Sequence, residues 1–330
     1  MSHSRVLFLH GLDEPLVDLI LSAAPSNCVV TALKGTSPES EQIAAAAVAD
    51  FIMVYRAKPS ANVLTSAKRT RLIQLLAAGY DEMDMTTIKA LGIPCANNGG
   101  ANSWAVADHA VLLMLSLYRR LIESNLEVRK GKWQSGTTGL NTFEMAGKQV
   151  GILGLGNIGQ AVAKRVQAFD ARVQYHSRQR LSLSREKELG VTYASIDELF
   201  STSDILSLHA PLTRETEKLV NADCLQAMKT SAILINTSRG AIIDEAALAE
   251  ALKSGRIAGA GLDAFVDEPV KPDNELLTLK NVVLSPHIGG TTADTWVRRA
   301  RFGFDNMQKV SNGEAPDALV NGLPARLIPH

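Results

Sequence analysis

The stretch Val150-Gly151-Ile152-Leu153-Gly154-Leu155-Gly156-Asn157-Ile158-Gly159-Gln160 decides the reading of this chain. Its first four residues carry no charge and read as a strand buried on both faces. The next six fit G-x-G-x-x-G at Gly154, Gly156 and Gly159, and the amphipathic run Gln160–Phe169 behind them reads as a helix. The glycines alone say little, but between a strand and a helix they predict a dinucleotide site. The first permits the tight turn, the second lets backbone approach a pyrophosphate, and the third lets helix and strand pack closely. Asn157 and Ile158 complete the loop, where the helix N-terminus offers N–H donors and positive dipole to phosphates. Without a ligand the same glycines would make only a turn; the flanking elements favour the nucleotide.

The next strand, Arg172–His176, should end beside the adenosine ribose, where NAD enzymes place an acid. Here the position is Ser177, followed by Arg178 and soon by Arg180. An aspartate would repel a 2′-phosphate, whereas serine and arginine can hydrogen-bond and neutralise it. The spacing therefore predicts NADP as cofactor, with NAD possible if these arginines are only a solvated surface run.

Outward from this motif, short apolar runs alternate with amphipathic stretches, the pattern of parallel α/β architecture. Strands are predicted at Val6–Leu9, Val29–Leu33, Phe51–Tyr55, Leu72–Leu76 and Pro94–Ala96, with helices such as Glu14–Ala23 and Ser40–Ala47 between them. Asn97-Asn98-Gly99-Gly100-Ala101-Asn102-Ser103 breaks the pattern, and a long apolar helix, Trp104–Leu121, follows. The second series has strands at Gln149–Leu153, Arg172–His176, Ile205–His209, Ala232–Asn236, Gly259–Leu262 and Val282–Ser285. The helix Ala293–Ser311 and the stretch Val320–Leu323 are read as returning to the first domain. The expected organisation is a substrate domain of residues 1–101 and 292–330, and a dinucleotide-binding domain of residues 102–291. The fold class is α/β, with two doubly wound parallel-sheet lobes and a cleft between them, where small molecules usually bind.

Composition narrows the function. The 330 residues suggest about two domains. Lys plus Arg is 34 and Asp plus Glu is 34, so no charge excess points to nucleic acid or an acidic membrane. No apolar run is long enough for a transmembrane helix, and Met1-Ser2-His3-Ser4-Arg5 has no signal-peptide pattern. Cys28, Cys95 and Cys224 are odd in number and scattered, so they read as reduced thiols of a cytoplasmic protein, not a disulfide framework or metal site.

Three further segments place polar residues just past strand ends: Asn236-Thr237-Ser238-Arg239-Gly240, Asp263 to Pro269, and Ser285-Pro286-His287-Ile288-Gly289-Gly290. Parallel strands open their carboxyl ends onto one edge, so an arginine, a carboxylate and a histidine can meet there. Reduction of a 2-oxo acid needs a fixed cation for the carboxylate and carbonyl, which Arg239 supplies as a planar fork. It also needs a proton donor titrating near neutrality, which suits His287. Glu268 beside the imidazole would favour its protonated form and orient it. Asp263 is placed to hold the nicotinamide carboxamide. Each residue also has a local reading: a helix-entry turn, a loop start, a strand end.

With these residues in view, the chain resembles the D-isomer-specific 2-hydroxyacid dehydrogenases, in character the NADP-linked glyoxylate and hydroxypyruvate reductases. The resemblance runs from about Leu72 to Asn321, through Leu76 to Asp81, Asn97 to Leu121, Gly131-Lys132-Trp133, Gly147 to Gly159, Leu208 to Leu212, Asn236 to Gly240, Gly261 to Pro269 and Ser285 to Gly290. It implies Arg239, Glu268 and His287 as the catalytic trio. It implies the backbone around Ala78 and Gly79 as a cradle for the substrate carboxylate, with Arg56 as a lesser substrate contact or an exposed loop arginine. Ala210, Thr237, Ser238, Arg239, Asp263, His287 and Gly289 join the fingerprint, Ser177 and Arg178 along the cofactor. A homodimer through the cofactor lobe and helix Trp104–Leu121 is also implied.

The departures matter too. Ser177 stands in place of the acid, and Gly99 where many members have proline. The region around Gly79-Tyr80-Asp81 also resembles phosphite dehydrogenase, but Ala78 replaces that enzyme's lysine. No regulatory domain follows residue 330, which disfavours an allosteric serine-pathway form. The other expectations are a dehydrogenase for a larger or phosphorylated acid such as 3-phosphoglycerate, and a non-catalytic nucleotide sensor like the C-terminal-binding corepressors. Turnover of NADPH with 2-oxo acids separates the sensor from the enzymes.

Overall fold

The structure, a computed structural model, describes residues 3–133 and 135–324. Met1-Ser2 and the end of the expected substrate domain, 325–330, lie outside the described residues. The chain forms two compact units: Met1–Asn102 with Thr291–His330, and Ser103–Gly290.

In the first unit, strands β1 (Ser4–His10), β2 (Cys28–Lys34), β3 (Phe51–Tyr55), β4 (Leu72–Leu75) and β5 (Cys95–Ala96) form a parallel sheet in the order β2-β1-β3-β4-β5. This is the flavodoxin-like doubly wound order. Alternate residues of each strand face opposite sides, and both sides are covered. Val6, Phe8, Phe51, Met53 and Leu72 pack with Trp296, Ala300, Phe304, Met307 and Val310 of the helix Ala293–Ser311. Leu7, Leu9, Ile52, Val54 and Ile73 pack on the other side with Val63, Leu64 and Ile88.

The C-terminal stretch is fastened to this unit by polar side chains. Asn306 donates to Gln74 Oε1 (2.8 Å) and to the Asp317 carbonyl (3.0 Å). Asn321 accepts from the Cys95 N–H and donates to the Ile93 carbonyl. The expected return at Val320–Leu323 is made beside an antiparallel bridge between Leu319 and Ala96, in which the Asn97 N–H donates to the Ala318 carbonyl and the Val320 N–H to the Cys95 carbonyl.

The second unit carries β6 (Gln149–Leu153), β7 (Arg172–His176), β8 (Val191–Tyr193), β9 (Ile205–Leu208), β10 (Ile233–Asn236), β11 (Gly259–Leu262) and β12 (Val282–Leu284). All are parallel, in the order β12-β11-β10-β9-β6-β7-β8, so the strand order reverses between β6 and β9. Ligands of open α/β sheets bind outside the carboxyl ends at such a reversal. The edge strand β8 was not expected, because only Val191 of its three residues is buried and Thr192 interrupts the apolar run.

The long apolar helix is shorter than expected. It spans Ser103–Tyr118, and a separate helix, Leu121–Arg129, follows Arg120, whose φ of 47° is left-handed. Apolar residues resume at Leu121 beyond Arg119-Arg120, which is why the sequence conceals the break. Ala107, Ala110, Val111 and Met114 of the longer helix pack with Val150, Ile152, Val162 and Ile235. Truncating Met114 or Ile152 to alanine would cost about 2–5 kcal/mol. Among the described residues, no helix is long and apolar enough to cross a membrane.

Candidate active site

The fingerprint loop leaves β6 at Gly154, whose φ is +93°. A Cβ there would lie 2.7 Å from the Ala210 nitrogen and 2.8 Å from the His209 carbonyl, so only glycine lets the ends of β6 and β9 close together. A Cβ on Gly159 would strike the Gly154 carbonyl oxygen. At Gly156, by contrast, a Cβ would meet nothing within 4 Å. Packing is tight at the first and third glycines and space is open at the second, as a close-approaching pyrophosphate requires. The helix starts at Asn157, earlier than the expected Gln160, with Gly156 at its N-cap and Ile158 in its first turn.

Two further observations fit a dinucleotide at this edge. The buried Thr237 hydroxyl, just past β10, has no hydrogen-bond partner among the described residues. The Ser177 Oγ, just past β7, accepts the Leu155 N–H at 2.9 Å and so ties the fingerprint loop to the next strand. Arg178 is exposed beside it. Arg180 is committed elsewhere: it grips Glu186 through Nε (2.8 Å) and Nη2 (2.9 Å) and lies over the Tyr193 ring. Its charge is paired within the unit. Burial pushes His209 down to about 3, so its imidazole is neutral; Nε2 meets Ser207 Oγ at 2.8 Å.

Arg239 sits on a loop set by Asn236. The fully buried Asn236 side chain donates to the Arg239 carbonyl (2.9 Å) and accepts from the Ser238 N–H (3.0 Å) and hydroxyl (2.8 Å). Gly240 follows against the Phe265–Val266 backbone, where any Cβ would collide with the Phe265 carbonyl carbon. The loop after β10 therefore lies directly on the loop after β11.

That second loop carries Glu268. Its carboxylate meets His287 Nδ1 at 2.8 Å (Oε2) and 3.0 Å (Oε1), and Oε1 also accepts the Phe265 N–H at 3.0 Å. Burial works against ionisation. The His287 hydrogen bond, the Phe265 N–H and the charges of His287 and Arg239 outweigh it and hold Glu268 below the usual carboxylate range. An ionised carboxylate only accepts, so Nδ1 of His287 carries a proton and Nε2 is the nitrogen on the far side of the ring. Glu245, at the start of the helix Glu245–Lys253, steadies the same loop by accepting from Val266 N (2.6 Å) and Asn274 Nδ2 (3.0 Å).

Asp263, 2% exposed at the end of β11, turns both oxygens to the loop bearing His287. Oδ1 accepts from Ser285 Oγ (2.6 Å) and Ile288 N (2.9 Å), and Oδ2 from Gly289 N (2.8 Å). Burial opposes its ionisation, but His109, Ser285 and the two backbone N–H groups hold it below its ordinary value.

Arg239, Glu268, His287, Asp263 and the fingerprint residues thus all lie at one edge of the second unit. Arg56, Ala78 and Gly79 lie in the first. Arg56 is exposed, with φ of 49°, and its guanidinium stands 5.7 Å from the centre of the Tyr55 ring. The Ala78 carbonyl accepts from Asn97 Nδ2 at 2.9 Å, which fixes the half-buried Ala77–Gly79 loop. Asn236, Glu245 and His109 were not expected in the site. A polar residue at a strand end was a readable signal for Asn236. Glu245 and His109 lie on helices far along the chain from the loops they hold, and nothing in the sequence joins them.

Residues 111–289 match the model of the D-isomer specific 2-hydroxyacid dehydrogenase NAD binding domain. A glyoxylate reductase of Aeropyrum pernix is 42% identical over 265 residues, 79% of each chain. A glyoxylate reductase of Korarchaeum cryptofilum is 40% identical over 274 residues, 82% of this chain and 81% of that one. Among solved structures, an NADPH-dependent glyoxylate/hydroxypyruvate reductase from Sinorhizobium meliloti in complex with NADP and malonate superposes with a TM-score of 0.84. It is 29% identical and covers 99% of this chain and 100% of that chain. The fold and this edge define a nicotinamide-dependent oxidoreductase. The chain belongs to the D-isomer-specific 2-hydroxyacid dehydrogenase family.

Proposed function

We propose that this chain is an NADP-preferring reductase of a small 2-oxo acid such as glyoxylate or hydroxypyruvate, forming the D-2-hydroxy acid. The observation that carries the reading is the ionised Glu268 on Nδ1 of His287, within the electrostatic reach of Arg239. When bound, the reduced nicotinamide supplies the hydride to the carbonyl carbon. Arg239 offers its planar guanidinium to the carboxylate and carbonyl oxygens and polarises the carbonyl. His287 gives the proton from Nε2 to the carbonyl oxygen as the C–H bond forms, and Glu268 stabilises the imidazolium before that transfer and holds the ring. Hydride plus one proton reduces the 2-oxo acid to the 2-hydroxy acid and leaves the cofactor oxidised.

In this reading the second unit holds the cofactor. Ala210, Thr237, Ser238 and Gly289 line it, Asp263 lies at the nicotinamide side, and Ser177 with Arg178 meets a 2′-phosphate. The first unit offers the Ala78 and Gly79 amides and Arg56 to the substrate. The missing acid at Ser177 supports NADP. The similarity to named glyoxylate reductases supports a small substrate. The exposed apolar residues Trp104, Leu112, Ile122, Trp133 and Leu140 support a homodimer through the second unit. Free cysteines support a reducing, cytoplasmic setting.

The test is a kinetic screen of 2-oxo acids with NADPH and NADH, with chiral analysis of the product. Faster oxidation of NADPH with glyoxylate and hydroxypyruvate, and D-glycerate from the latter, is expected. No turnover with any 2-oxo acid would sink the reading.

A further inference from the structure

We propose that His109 is a positioning residue for His287, acting through Ser285 and Asp263; this rests on the proton-donor role proposed for His287. His109 lies on the helix Ser103–Tyr118, far along the chain from the loop it meets. Its Nε2 is 2.8 Å from Ser285 Oγ and 3.4 Å from Asp263 Oδ1. Proton counting fixes the direction of these bonds. Ser285 has one hydroxyl proton, and the 2.6 Å contact with the ionised Asp263 Oδ1 requires it there. Ser285 can then only accept from His109, so Nε2 carries a hydrogen and donates to the Ser285–Asp263 pair.

This assembly controls the backbone on either side of His287. Before it, the His287 N–H donates to the Ser285 carbonyl (3.1 Å) in a tight turn with His287 at φ 52°. After it, the Ile288 and Gly289 N–H groups both donate to Asp263. His109 also backs the loop sterically. A Cβ on Gly289 would lie 2.8 Å from Asp263 Oδ2 and 3.3 Å from His109 Cδ2, so the loop rests on both. The imidazole of His287 is thus aimed by its own loop from behind, as well as by Glu268 at its Nδ1.

The test compares full-length His109→Leu and His109→Gln with the parent and with His287→Ala. Gln places a side-chain N–H close to the position of Nε2; Leu does not. His109→Leu should lower kcat on the order of 10- to 100-fold, as expected for a misplaced reacting group. The fall in kcat should exceed any rise in KM for the cofactor, and His109→Gln should recover most of the rate. Should His109→Leu not fold, Ser285→Ala removes the same relay and should show the same split. Nitrogen-15 NMR of the histidines should also show Nε2 of His109 protonated. Equal kcat in the Leu and Gln variants, or an Nε2 without hydrogen, overturns the proposal. An unaffected His287→Ala would instead overturn the reading of His287 itself.

Discussion

The Ser177 hydroxyl accepts the Leu155 N–H at 2.9 Å, so a neutral side chain at the end of β7 holds the loop that would carry the pyrophosphate. Arg178 is exposed beside it, and under the NADP reading proposed above these two residues would meet the 2′-phosphate. Replacing both, Ser177→Asp with Arg178→Ala, introduces repulsion and removes an ion contact. A charged hydrogen bond contributes about 1.5–3 kcal/mol, or roughly 10- to 100-fold in preference. The ratio of kcat/KM for NADPH over NADH should fall by that order, and an unmoved ratio would place the phosphate pocket elsewhere.

His287→Ala should lower kcat by about 10²- to 10⁴-fold, the usual contribution of a positioned acid. NADPH binding, followed by fluorescence titration, should hardly change. Glu268→Gln keeps a partner at Nδ1 but removes the negative charge, so a smaller loss of kcat is expected. Full activity in either variant would contradict the proposed proton route.

Gly240→Ala should damage both stability and catalysis, because the new methyl has no room against the Phe265 carbonyl carbon. Overpacking of this kind costs about 1–3 kcal/mol. The shift of the loop should also misplace Arg239, raising KM for the 2-oxo acid. A urea midpoint equal to that of the parent would mean that the two loops can separate without cost.

Acid should unpick the loop at Asp263. Its folded pKa lies below the ordinary 3.8, so its stabilising contribution is complete above that value and fades as pH falls through the lower, folded one. Asp263→Asn removes that contribution. The difference in urea midpoint between parent and variant should therefore be largest near neutrality and shrink below about pH 4. A difference that stays constant with pH would mean that the charge on Asp263 does not matter.

Much of the scaffold was legible because the strands here are buried on both faces. Runs such as Phe51–Tyr55 and Gln149–Leu153 have little polar interruption, and their limits match the observed β3 and β6. Val191–Tyr193 was missed because it is an edge strand with one buried residue and so lacks the apolar run that marked the others. The helix end at Tyr118 was missed because apolar residues resume at Leu121 beyond Arg119-Arg120, and the left-handed backbone of Arg120 leaves no mark in the sequence.

In the candidate site, residues at strand ends were readable from the parallel architecture, which sends Asn236, Asp263 and Ser285 to one edge. Partners arriving from helices were not. His109 reads as a lone histidine in an apolar helix, and only the fold brings it to Ser285. The partner of Arg180 was equally hidden: its charge was visible, but not the Glu186 with which it pairs.

The core of the first unit joins two segments far apart in the chain. Phe8, Phe51, Met53 and Leu72 emerge early, yet Trp296, Phe304 and Met307, which cover them, are translated only after the whole second unit. One face of the sheet is covered by neighbours in sequence such as Val63, Leu64 and Ile88, whereas the other waits for the helix Ala293–Ser311. A chain interrupted before Ala293 would lack that cover and leave one face of the first sheet without its packing partners.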